Sequence, residues 1–148
     1  MGNNLMAPEL ISKISSRYFS LSVVSDLFTT KVQVEENDLI YLMEELKSDP
    51  DLYFDLLLDI TALDYQDHYM VVYNLFSIKH GHKIMVKCRI EHESPSLITV
   101  SDLYPAAEVM ECEVYDLMGI EFVSHPNLHR ILLPEDFEGF PLRKDYKF

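Results

Sequence analysis

Residues 68–90 contain two apolar stretches, HYMVVYNLFSI and HKIMVKCRI, joined through KHGHK. In the second, Ile84, Val86, Cys88 and Ile90 alternate with Met85, Lys87 and Arg89. A strand sends successive side chains to opposite faces, so the first set shares one face and both cations lie on the other. That is the pattern of a sheet with one face on a core. Gly81 at the bend makes the pair a hairpin. His80 and His82 flank that bend; without a third ligand beside them they are read as surface residues rather than a metal site.

A sheet with one apolar face needs a cover, and helical segments supply it. APELISKISSRYF (7–19) reads as a helix, with Pro8 in its first turn. SLSVV and TTKVQV are short strands about a turn at Ser25–Asp26. Asn37 is placed as the cap of a second helix, DLIYLMEELK, whose apolar stripe is Leu39, Leu42, Met43 and Leu46. YFDLLLDITALDY reads as a buried strand or a short helix; strand is favoured from about Leu56, because Ile60 and Thr61 are β-branched and the next segments need a sheet to join. Pro105 and Gly119 bracket a third helix at about 105–118, with Ala107, Met110, Val114, Leu117 and Met118 as its stripe. The expected fold is α+β: a two-layer domain with helices packed on a mixed sheet. At 148 residues the chain is one domain, taken as 1–133 with an extended C-terminal arm at 134–148. Pro134, Gly139 and Pro141 keep that arm out of helix, while Phe137, Phe140, Leu142, Tyr146 and Phe148 are too apolar for a linker. The arm is expected to pack on a partner, and its removal to leave the domain's melting temperature nearly unchanged.

Charge excludes whole classes of function. Twelve Lys and Arg stand against 25 Asp and Glu, giving −13, which repels nucleic acid and anionic lipid. No Lys or Arg lies between Arg89 and Arg130. No apolar run is long enough to span a membrane, and the N-terminus carries neither a secretory nor a transit signal pattern. Cys88 and Cys112 are separated and form no CxxC pair, so two reduced, buried thiols are expected.

The acids gather on the third helix. Glu108 and Glu111 border its stripe on one side, and Glu113 and Asp116 on the other. Such pairs do acid–base work, sit in solvent, or anchor arginines from this chain or a partner. The residues alone leave the three roles open for Glu111 and Glu113. A free-standing enzyme would use these carboxylates with His125. No Gly-rich phosphate loop, GxSxG elbow or HExxH motif occurs. His125 and His129 are four residues apart, but Pro126 breaks the helical geometry a zinc pair needs.

The stretch ECEVYDLMGIEFVSHPNLHRILLPEDFEGFPLRKDY (111–146) resembles the signature of the C-subunit family of proton-pumping NADH:quinone oxidoreductase, respiratory complex I. DITALDY, YMVVYNLFSI and VSDLYPAAEVMECEVYDL resemble its strands and helix entry. Cys112 stands where the family usually has Arg, Ser124 where it has Gly or Asn, and His129 where it has Arg or Lys. Phe137 replaces Trp, and Phe140 replaces His or Trp.

The resemblance implies a peripheral-arm scaffold subunit with no active site or redox centre of its own. It implies that iron–sulfur clusters, quinone, flavin and NAD belong to neighbouring subunits. Its partners would be the large subunit forming the quinone cavity and the iron–sulfur subunits. It would reach the membrane only through the complex, on the cytoplasmic (or stromal or matrix-equivalent) face. Glu111, Glu113, Tyr115, Asp116, His125, Arg130, Phe137, Phe140, Arg143, Lys144, Asp145 and Tyr146 would form a partner interface or structural charge network, with Glu111 and Glu113 as structural acids whose nearest candidate cations by motif are Arg130 and Arg143. Related branches serve ferredoxin-linked or deazaflavin-linked dehydrogenases and membrane-bound hydrogenases.

Overall fold

The computed structural model describes residues 22–25 and 29–147. The helix expected at 7–19 and the tip of the first turn lie outside them. The described elements are β1 (Ser22–Ser25), β2 (Thr30–Val34), α1 (Glu36–Ser48), β3 (Leu56–Asp64), β4 (His68–Phe76), β5 (Lys83–Glu91), β6 (Ser96–Ile98), α2 (Ala107–Met118) and β7 (Glu121–Val123).

Five strands form one sheet in the order β1-β2-β5-β4-β3. β2 runs parallel to β5, and the other pairs are antiparallel. The sheet is therefore mixed, and the domain is α+β as expected. Register carries the alternation of β5 across the sheet: Val32 pairs with Val86, Val86 with Tyr73, and Tyr73 with Ile60. This row and its neighbours are buried in one core. Helix α1 lays Leu39, Leu42, Met43 and Leu46 onto that face, all fully buried. Helix α2 packs on β3 and brings Ala107, Val114 and Met118 to the same core. Burying each large apolar side chain contributes roughly 1.5–3 kcal/mol.

The structure differs from the sequence reading in several places. Asn37 does not cap α1. The helix begins at Glu36 with Glu35 as its N-cap, and Glu35 makes no side-chain capping bond. The first turn's own acids, Glu36 and Asp38, favour the positive end of the helix instead. Helix α2 starts at Ala107, because Pro105 is spent in a preceding turn that Leu103 and Tyr104 close onto Val100. His82 is buried, not a surface residue: its ring lies 4.8 Å from Phe54 and its Nε2 bonds the Leu52 carbonyl at 2.9 Å. A second, two-stranded parallel sheet of β6 and β7 brackets α2 and has no counterpart in the sequence reading. Three residues per strand are too few to show an alternating pattern.

Candidate functional site

An α-helix leaves its last four carbonyls without partners inside the helix. The C-terminal end of α2 satisfies all of them with residues further along the chain. Gly119, in the left-handed region at φ 74°, gives its N–H to Tyr115 O at 2.8 Å. Arg130 Nη1 donates to Asp116 O at 2.8 Å. Leu142 N donates to Leu117 O at 3.0 Å. Arg143 Nε donates to Met118 O at 2.6 Å, and its Nη2 reaches Gly119 O at 3.3 Å. The last turn of α2 has no basic residue of its own, so these two guanidinium groups also offset the negative end of the helix dipole.

Arg130 is the hub. Its Nη1 also bonds Asp116 Oδ1 at 2.9 Å, and its Nη2 holds Gly139 O at 2.7 Å. The other oxygen of the buried Asp116 carboxylate accepts three consecutive backbone N–H groups, from Ile131 (3.1 Å), Leu132 (2.7 Å) and Leu133 (2.9 Å). Burial alone would raise the Asp116 pKa. The amides of Leu133, Leu132 and Ile131, with the Arg130 guanidinium, outweigh it and hold the carboxyl below its ordinary value.

The C-terminal segment is tied to this end by rings and one more carboxylate. Phe140 sits between two guanidinium groups, 4.9 Å from Arg130 and 4.8 Å from Arg143, and its edge meets Tyr115. Phe137 stacks on Tyr146, and Arg143 also lies over Tyr69. Lys144 N donates to Asp64 Oδ2 at 2.9 Å. Burial raises the Asp64 pKa, but the Lys144 and Gln66 amides and nearby His92 bring it below the ordinary range. A Cβ on Gly119 would fall 2.5 Å from Arg143 Nη2 and 2.7 Å from the Phe140 ring, so only glycine admits this packing. The segment is irregular, as expected, but it runs as successive turns rather than extended: Phe137 bonds Pro134, Arg143 bonds Phe140, and Tyr146 bonds Arg143. Because it caps α2, its removal would destabilise the domain, contrary to the sequence expectation.

The acids divide differently from the sequence reading. Asp116, not Glu111 or Glu113, holds Arg130. At about 100° per residue, Glu111 and Glu113 point to nearly opposite sides of the helix. Glu113 is exposed. Glu111 is buried and faces no arginine; its carboxyl accepts Thr99 Oγ1 at 2.5 and 2.9 Å and Val100 N at 3.2 Å. Burial pushes its pKa up to about 7 against the pull of these two donors. His125 gives Nε2 to Glu108 O at 2.8 Å and takes Asn127 N on Nδ1 at 3.0 Å. Of the carboxylates and imidazole that a free-standing enzyme would need, Glu111, Asp116 and His125 are each bonded to different partners, and Glu113 is turned to solvent. Cys112 lies 3.8 Å from His125 Nε2 and 3.9 Å from His129 Nδ1, yet both ring nitrogens are turned to carbonyls at 2.8 Å. Among the described residues no group of three such side chains is arranged to hold a metal. Both cysteines are free and buried. Asp145 and Lys144 are exposed, while Tyr146 is half-buried. Thr99, Val100 and Asp64 were missed because their role is fixed by tertiary approach; only the β-branched pair at 99–100 ahead of the helix hinted at it.

Residues 32–148 match the family model described as "Respiratory-chain NADH dehydrogenase, 30 Kd subunit". The chain belongs to this family. A relative from Geobacter metallireducens, named as the C subunit of NADH-quinone oxidoreductase, is 44% identical over 119 residues, 78% of this chain and 72% of the relative. One of the same name from Moorella thermoacetica is 37% identical over 139 residues, 93% of each chain. Among solved structures, a trypsin-resistant fragment of Nqo5 aligns with a TM-score of 0.71 at 28% identity, covering 81% of this chain and 97% of that one. A chain of the membrane-bound sulfane sulfur reductase, an archaeal respiratory membrane complex, aligns at 0.82 and 27%, covering 94% and 84%. The helix-end cap just described lies wholly within the stretch that the 30 Kd subunit model matches.

Two substitutions separate the roles of the acids. Asp116→Asn strands Arg130 half-buried and should cost about 3–5 kcal/mol in urea unfolding, whereas Glu113→Gln should stay within about 0.5 kcal/mol. A costly Glu113→Gln with a neutral Asp116→Asn would reverse the assignment. For Glu111, folding raises the pKa from 4.5 to about 7. The folded state therefore holds a proton that the unfolded chain loses in that window, and stability falls as pH rises through it. Glu111→Gln removes this term. Its melting temperature relative to wild type should climb between those pH values and level off above them, by the equivalent of about 3 kcal/mol. A difference independent of pH would contradict the assignment.

Proposed function

We propose that this chain is a non-catalytic scaffold subunit in the peripheral arm of a complex I-type NAD(P)H:quinone oxidoreductase, which couples electron transfer to quinone with proton translocation. One observation carries the reading beyond family membership. The segment after Arg130 is pinned by its backbone and cations to α2, and it turns apolar side chains outward: Leu132 is 60% exposed and Leu142 is 59% exposed. A chain ordering such a surface at the cost of its own conformational entropy supports a role in docking.

In this reading the subunit binds no redox group. Its conspicuous polar side chains are consumed in holding itself together, and iron–sulfur clusters, quinone, flavin and NAD reside in neighbours. The partners are the large quinone-cavity subunit and the iron–sulfur subunits, met through the segment at 131–146. No helix among the described residues is long and apolar enough to cross a membrane. The subunit meets the bilayer only through the assembly, on its cytoplasmic or equivalent face. The likeness to a chain of the archaeal sulfane sulfur reductase favours a second reading, in which the assembly is a related respiratory membrane complex rather than the NADH-linked one.

Truncation after Leu133 tests the docking role in cells that make the assembly. It should abolish co-purification of other subunits and also lower the melting temperature of the isolated chain by several degrees, through loss of the cap. Leu132→Glu with Leu142→Glu separates the two effects, because neither side chain supports the core. The doubly substituted chain should melt within a few degrees of wild type yet fail to bring down its partners. Full co-purification by that variant would refute the docking surface. The identity of the co-purifying chains distinguishes the NADH-linked assembly from the alternative.

A further inference from the structure

Both described helices cover one face of the five-stranded sheet. The opposite face has an unusual composition. Down β5 it presents Lys83, Met85, Lys87 and Arg89, with Glu91 at the end of the strand. Register continues these rows to the free edge of the sheet: Lys83 to Phe76 to Leu56, Lys87 to Val72 to Thr61, Arg89 to Met70 to Leu63, and, between the first two, Met85 to the hydrogen-bonded pair Asn74 and Asp59. Each cation thus heads a row that runs into apolar or β-branched side chains, and the edge leucines Leu56 and Leu63 are 39% and 45% exposed. The bare side of an antiparallel sheet is ordinarily polar. Strands β3, β4 and β5 are each nine residues long, so this region spans roughly 30 Å by 10 Å. Exposed apolar side chains gathered on such a face mark an interaction site, here on either side of the polar Asn74–Asp59 pair.

The charge is the second observation. The chain has 25 acids for 12 Lys and Arg, yet among the described residues Lys83 and Lys87 have no carboxylate within salt-bridge distance, and Arg89 reaches only Asp67, at 3.9 Å. Three cations on one face of one strand repel each other in the free chain, and a surface bearing carboxylates would reverse the sign of that term. A second copy of this face would set cations against cations.

We propose that the outer face of the sheet, along β5 and toward the β3 edge, docks a segment of another subunit whose apolar side chains are flanked by carboxylates. The proposal rests on the reading of this chain as a subunit of a larger assembly and adds a second contact surface to the one at residues 131–146.

The test uses the assembled complex, purified through a tag on this chain, and the isolated full chain. Both are treated with an amine-acylating ester, and the complex also with a zero-length carbodiimide. Lys83 and Lys87 should be acylated about tenfold less in the complex than in the isolated chain. Lys79, on the exposed hairpin loop, should react equally in both. The carbodiimide should join Lys83 or Lys87 to an Asp or Glu of a different subunit. Equal acylation in the two samples overturns the proposal while leaving the assembly reading intact. Links found only within this chain, or to a second copy of it, overturn it likewise. A tagged chain that brings down no other subunit overturns the assembly reading and this proposal with it.

Discussion

Helix α2 ends with carbonyls and a buried acid that its own sequence cannot satisfy. Much of the chain from Arg130 to Arg143 is arranged around that deficit. Asp116 must be ionised where water cannot reach it, so it draws in Arg130 and three consecutive backbone amides. Those bonds fix the direction in which the chain leaves Leu133. Arg130 then holds Gly139, and Leu142 and Arg143 return to the carbonyls of Leu117 and Met118. A buried, unpaired charge costs several kcal/mol, whereas one with this many donors is tolerated and sets geometry. The irregular tail is therefore the helix's cap before it is anything else.

The arrangement also accounts for the lopsided charge. The stretch between Arg89 and Arg130 holds acids without a single Lys or Arg. Read linearly, it looks like a solvated acidic face. In the fold its two most buried acids take opposite routes: Asp116 recruits a distant cation, while Glu111 has only neutral donors and is pushed toward protonation by burial. Lys83 and Lys87, on β5, stay without acids of their own among the described residues. Charge in this chain is thus matched by position in three dimensions, and what is left unmatched lies on surfaces that face outward.

Strand β5 and both described helices were legible because their apolar periodicity is regular: clean alternation over nine residues in β5, and a stripe of four leucine-class residues in α1. Strand β3, whose pairing shifts between Leu57 and Asp59, read as strand or short helix and was favoured as strand only by its β-branched residues and the need for a sheet. Gly119 was legible as a helix stop because few residues adopt its backbone conformation. The start of α1 was misplaced because Asn37 is a good cap in isolation, while in the fold it lies inside the first turn between Glu36 and Asp38, which favour the positive helix end. The β6–β7 pair, the partners of Glu111 and the choice of Asp116 over Glu113 were not legible. Each depends on which residue meets which across long sequence distances, and helix phase alone puts Glu113 and Asp116 on neighbouring sides.

The central claim is that residues 139–144 are ordered by α2 itself, before any partner is met. Amide hydrogen exchange in the isolated chain tests it most directly. Leu142 lies in a segment with no helix or strand, and its N–H is committed to Leu117 O. Its exchange should be slowed about a hundredfold or more relative to an unstructured peptide, together with the amides of Ile131, Leu132 and Leu133. Exchange of Leu142 at the unstructured rate in the free chain would contradict the account.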